Sequence, residues 1–184
     1  MTTDTSMQET IVLGGGCFWC LEAAYQRVKG VTAVVSGYAG GTAETARYEL
    51  VSSGTTNHAE VVQVTYDPAV IGLSDILDIF WVIHDPTTKD RQGADTGPQY
   101  RSVIFYTSPE QEHVAKTSIE RIQRTLGAPV VTELAPLTAF YAAESYHQQY
   151  YNNNSEAPYC HIVIDSKLHA LQQAFAERLR PDSL

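Results

Sequence analysis

The chain has 184 residues, 43% of them hydrophobic and 18% charged, which suits one packed domain. Its net charge of −9 disfavours non-specific nucleic-acid binding, which relies on clustered Lys and Arg to neutralise phosphates. No apolar run is long enough to span a bilayer, and the polar start carries no secretion pattern, so a cytoplasmic protein is expected, acting as a monomer.

Residues 1–9 are expected to be disordered. Thr10–Leu13 then reads as a short buried strand, stopped by Gly14, Gly15 and Gly16. Phe18–Val28 has good helix formers and no Pro or Gly, which predicts a helix. Val31–Gly37 is a second strand and ends in the turn-rich Gly37-Tyr38-Ala39-Gly40-Gly41; Glu60–Tyr66 is a third, closed by Asp67-Pro68. Leu73, Ile76, Leu77, Phe80 and Ile83 recur at helical spacing, giving a helix over about 74–84. A glycine-studded loop over 85–100 leads to the strand Ser102–Thr107, and a helix follows Pro109 to about Leu126. Val130–Leu134 and Ala139–Tyr141 read as shorter strands, and Ser166–Leu179 as the last helix. Between them, the polar segment 150–165 is expected to be mobile. Strands and helices alternate without a strict βαβ rhythm. The expectation is an α/β or α+β fold: a two-layer sandwich with a mixed sheet packed by helices and an irregular C-terminal segment.

Chemistry concentrates at Cys17. A cysteine reacts as its thiolate, which the unpaired amides and partial positive charge of a helix N-terminus favour. Three glycines allow a tight turn before Cys17 and a helix begins at once, so a reactive thiolate is expected there. Phe18 and Trp19 follow, awkward for packing at a helix start but suited to an apolar pocket beside a nucleophile. Other readings of Cys17-Phe18-Trp19-Cys20 stay open: half of a zinc site in a redox-sensing module, or a general dithiol–disulfide oxidoreductase. Against zinc, the remaining ligand candidates Cys160 and His161 are adjacent and poorly placed to reach one metal. His58, His84 and His147 match no compact metal site either, and Gly14-Gly15-Gly16 lacks dinucleotide spacing.

Gly16-Cys17-Phe18-Trp19-Cys20 resembles the signature of the A-type peptide methionine sulfoxide reductases. The match continues through Gly37–Gly41, Ser53–Val62, His84–Thr88, Asp90–Ser102, Tyr146–Tyr150 and Pro158-Tyr159-Cys160, over about residues 10–165. The resemblance implies reduction of methionine-(S)-sulfoxide, free or in oxidised proteins, with no metal or organic cofactor and thioredoxin as external reductant. It makes Cys17 the nucleophile and Glu60 the proton donor, gives Tyr38 and Tyr100 hydrogen bonds to the substrate oxygen, and casts Asp95 as a polar site residue. Phe18 and Trp19 would hold the substrate methyl. The period-two pattern agrees for Glu60, which shares a strand face with Val62, Val64 and Tyr66; on an inward face its carboxyl would stay protonated. Sulfoxide reduction leaves a sulfenic acid on Cys17, and a second thiol must condense with it. Cys160 matches the resolving position of the family. Cys20 is the rival, one helical turn from Cys17, where the helix would have to loosen for a disulfide. Two departures stand out: Ser52 replaces a cysteine common in relatives, and Ser145 replaces an acidic residue before Tyr146-His147.

Overall fold

A computed structural model describes residues 7–183. The expected disordered stretch falls outside the described residues over 1–6, while Glu9 already opens β1 (Glu9–Gly14). A six-stranded mixed sheet carries the fold, in the order β7-β6-β1-β3-β2-β8. β1, β2 (Val31–Ala39) and β3 (Ala59–Tyr66) form its antiparallel centre. β6 (Val103–Tyr106) pairs antiparallel with β1, whereas β7 (Glu133–Pro136) joins β6 in parallel. β8 (Phe140–Ala142) closes the other edge against β2.

Alternation along the central strands builds two cores. Ile11, Leu13, Val62, Val64 and Ile104 point to the main core, filled by α1 (Phe18–Tyr25), α3 (Leu73–Ile83), α4 (Pro109–Gln123) and α6 (Asp165–Phe175). Val12, Val61, Val103 and Phe105 point the other way, into a smaller core closed by Leu137 and Phe140. The helices begin where short-range chemistry allows. Ser108 accepts the Gln111 amide at 3.2 Å to cap α4, whose Pro109 gives up no needed donor, and Asp75 accepts the Gly72 amide at 3.3 Å at the start of α3.

Several boundaries differ from the sequence reading. α1 ends at Tyr25, and Val28 bridges to Leu179 beyond the end of α6. The loop over 85–100 folds back as a small hairpin of β4 (Arg91–Gln92) and β5 (Asp95–Thr96). The strand expected at Val130 starts at Glu133, because the Val131 amide instead donates to the Pro86 carbonyl at 2.8 Å. The segment 150–165, read as a polar loop, carries α5 (Tyr150–Asn153) and then a π-helical turn (Cys160–Ile164) running into α6.

Candidate active site

The strand β1 delivers the chain to the site through glycines. Gly16 lies at φ +91°, and a Cβ there would meet Gln92 at 2.8 Å, so only glycine fits the turn. Cys17 follows as the N-cap of α1, with φ −60° and ψ 128°, outside the helix itself. The Cys20 amide donates to its carbonyl at 3.1 Å. Phe18 is buried, and its amide donates to Glu60 Oε1 at 3.2 Å, which fastens the helix start to β3.

Glu60 occupies the inward face expected from the strand alternation and is 2% exposed. Burial pushes its carboxyl up to about 8, against the Phe18 amide that favours the anion; Asp95 and Cys20 add to the upward push. The acid is therefore protonated at neutral pH.

Cys17 departs from the expected resting thiolate. The protein packed around its sulfur, the Cys20 thiol and the charge of Glu60 all hold it well above the ordinary thiol value, and only the Trp19 amide pulls the other way. Desolvation is the largest influence and outweighs the Trp19 amide at the start of α1. A resting site with neutral Cys17 and neutral Glu60 suits a neutral polar ligand, with charge developing only during reaction.

Cys17, Phe18, Trp19 and Glu60 line a cavity of about 90 Å³, together with Tyr48, Asp95, Tyr100 and Tyr159. That is room for about three waters, the scale of a methyl sulfoxide head group. The Trp19 ring is fixed by stacking on Tyr150 at 3.6 Å and by its Nε1–H donating to His147 Nδ1 at 3.2 Å. Asp95, carried by β5, accepts the Tyr159 hydroxyl at 3.1 Å.

Tyr38 requires a correction. It sits inside β2, not in the glycine loop after it, and its hydroxyl donates to Glu144 Oε1 at 2.9 Å. The ring is buried behind Phe18, at 5.7 Å between centroids, and does not line the cavity. Tyr48, in the short helix α2 (Tyr48–Val51), takes the place expected for it opposite Tyr100. Burial holds both the Tyr48 and Tyr100 hydroxyls above their ordinary value and so protonated, and any negative charge on Glu60 or Cys17 would push them higher; among the described residues neither is committed to a hydrogen-bond partner. The sequence reading missed Tyr48 and Tyr159 as cavity residues, since nothing local distinguishes them among eleven tyrosines. Glu144 accepts the Tyr48 amide at 3.1 Å as well as Tyr38, supplying a carboxylate one position before Ser145.

All three cysteines are free thiols. Cys160 is fully buried, packed with Cys20, Ala23 and Ile164, and does not reach the cavity wall. The objection to Cys20 also changes: with Cys17 outside α1, no helical turn need open for the two sulfurs to meet. Among the described residues no group of three or more His, Cys, Asp or Glu could hold a metal ion.

Residues 9–179 match the family model described as peptide methionine sulfoxide reductase. A relative from Sulfolobus acidocaldarius, "Peptide methionine sulfoxide reductase MsrA", is 51% identical over 170 residues, covering 92% of this chain and 97% of its own. The chain belongs to the peptide methionine sulfoxide reductase family. Among solved structures, Mxr1 from Saccharomyces cerevisiae in reduced form matches with a TM-score of 0.79 at 36% identity, covering 85% of this chain and 91% of that one. Methionine sulfoxide reductase A of Corynebacterium diphtheriae matches at 0.78 and 34%, covering 85% and 79%. Mxr1 in complex with Trx2 matches at 0.56 and 28%, covering 82% and 89%. Membership gives the cavity its meaning within the reductase fold: the thiol and the protonated carboxyl face the same small volume. No helix among the described residues is long and apolar enough to cross a membrane.

Proposed function

We infer that the chain is a peptide-methionine (S)-S-oxide reductase, repairing methionine sulfoxide in oxidised proteins and as the free amino acid. The observation that carries this reading is the pairing of Cys17 with a Glu60 carboxyl whose burial keeps it protonated at neutral pH, both facing one cavity.

The reaction follows from the groups in place. The sulfoxide oxygen lies between the Tyr48 and Tyr100 hydroxyls and the Glu60 proton, and the methyl group rests against Phe18 and Trp19. Cys17 sulfur attacks the sulfoxide sulfur as Glu60 delivers its proton to the oxygen. The sulfur–oxygen bond breaks as the sulfur–sulfur bond forms. The released hydroxide then adds to the Cys17 sulfur, the sulfur–sulfur bond breaks and methionine leaves, so that Cys17 ends with the oxygen as a sulfenic acid while Glu60 recovers the thiol proton. Asp95 holds Tyr159 at the cavity wall. The oxidising equivalent then passes into a disulfide that ends on Cys160, for thioredoxin to reduce. The chain itself contributes all of these groups, with no organic cofactor or metal, as a monomer in the cytoplasm, where its thiols stay reduced.

Mixing the reduced chain with methionine-(S)-sulfoxide should yield methionine from the wild type and none from Cys17→Ser. Reduction of insulin disulfides without any methionine formation would support a general dithiol oxidoreductase instead.

A further inference from the structure

The proposed reaction leaves open how an oxidised Cys17 reaches Cys160. Cys20 is only 2% exposed and Cys160 is fully buried, in one cluster with Ala23 and Ile164, and Cys17 packs against that cluster from the cavity side. The two buried thiols are therefore neighbours, on α1 and on the π-helical turn. Cys17 and Cys20 are neighbours too. One turn separates them, with Cys17 in extended backbone at the N-cap, a spacing within the reach of a disulfide. Tyr159, the residue before Cys160, fills the cavity wall: its hydroxyl reaches Asp95 at 3.1 Å and Cys20 Sγ at 3.7 Å. The thiol next to Cys17 on this path is that of Cys20, whereas Cys160 lies behind it.

We propose that Cys20 is an obligatory middle thiol, condensing first with the oxidised Cys17 and then passing the disulfide to Cys160. This rests on the sulfoxide-reductase reading above. In the first step the Cys20 sulfur displaces the oxygen of the Cys17 sulfenic acid, forming the Cys17–Cys20 disulfide and one water. In the second, the Cys160 sulfur attacks Cys20, the Cys17–Cys20 bond breaks, and Cys17 leaves as a thiolate that takes up the proton lost by Cys160. The product is a Cys20–Cys160 disulfide beside an intact, reduced Cys17. The contact with Cys17, helped by the charge of Lys167 on α6, holds the Cys20 thiol below its ordinary value against its burial, which suits an attacking group. The new disulfide lies one residue from exposed His161 and two from Ile162, which is 74% exposed, so the electron donor need not enter the catalytic cavity.

A stoichiometry experiment without reductant separates the relay from direct transfer. A relay frees Cys17 for a second turnover, so the wild-type chain should release two methionines. It should end with a Cys20–Cys160 disulfide and a Cys17 sulfenic acid that dimedone traps. Cys160→Ser should stop at one methionine with a Cys17–Cys20 disulfide found by peptide mapping. Cys20→Ser should stop at one methionine with Cys17 trapped by dimedone and no disulfide on the wild-type time scale. One methionine from the wild type with a Cys17–Cys160 disulfide and a free Cys20 thiol would overturn the relay alone. So would a Cys17–Cys160 disulfide in Cys20→Ser formed at the wild-type rate. No methionine from the wild type would overturn the reductase reading and the relay with it.

Discussion

At the scale of single residues, the site works by withholding charge until reaction. Burial raises Glu60 to about 8 and also raises Cys17, so both are neutral when the sulfoxide arrives. The proton on Glu60 should govern rate. Single-turnover methionine formation should fall as pH rises through about 8, and Glu60→Gln should lose roughly 10²–10⁴-fold in rate together with that pH limb. The same residue sets a stability trend. Its folded carboxyl binds a proton more tightly than the unfolded one, whose ordinary value is 4.5, so its stabilising contribution is complete below 4.5 and is lost as pH rises towards about 8. Melting temperatures of wild type and Glu60→Gln, compared across that window, should diverge with the wild type losing more. The tyrosines give a second test. Tyr48→Phe should lower the single-turnover rate about tenfold or more, as loss of a hydrogen bond to developing charge does, and Tyr38→Phe should cost less because its hydroxyl serves Glu144. Equal losses in the two variants would return Tyr38 to the site. Glu60 was legible in the sequence because a strand face repeats every two residues. Tyr48 was not, because its position depends on a carboxylate at Glu144, ninety-six residues further along the chain.

At the scale of elements, the turn from β1 into α1 does the placing. Gly16 adopts a conformation that other residues rarely enter, with Gln92 filling the space where a side chain would go. Gly16→Ala should destabilise the fold by more than about 1 kcal/mol, and the surviving folded protein should reduce sulfoxide more slowly, because Cys17 and the Phe18 amide move with that turn. Thermal melts and single-turnover rates read the two effects separately. The long, periodic elements were visible in the sequence: β1, β2, β3 and α3 carry enough alternating or helical positions to announce themselves. The hairpin of β4 and β5 was not, since two-residue strands leave no periodicity, yet it brings Asp95 to the cavity. The polar composition over 150–165 likewise concealed a folded segment, because the residues that bury it, Cys20 and Ala23, belong to a helix more than a hundred positions earlier.

At the scale of the molecule, the sheet order explains why one site can be assembled from so much of the chain. β3 lies between β1 and β2, so Glu60 sits beside the strand that leads to Cys17 and opposite Tyr38 on the next. The C-terminal segment then wraps back over α1 and places Tyr150, Tyr159 and Cys160 against the same helix. The cavity with Cys17 and the buried cluster of Cys20 and Cys160 thus both lie against α1, and Tyr159 touches both. The central claim is that Cys17 accepts the oxygen of a methionine sulfoxide. Intact-mass measurement of Cys20→Ser/Cys160→Ser after mixing with methionine-(S)-sulfoxide tests it most directly. One methionine per chain, matched by one added oxygen mapped to Cys17, is the predicted result; methionine formation without oxygen on Cys17, or no methionine at all, would contradict it.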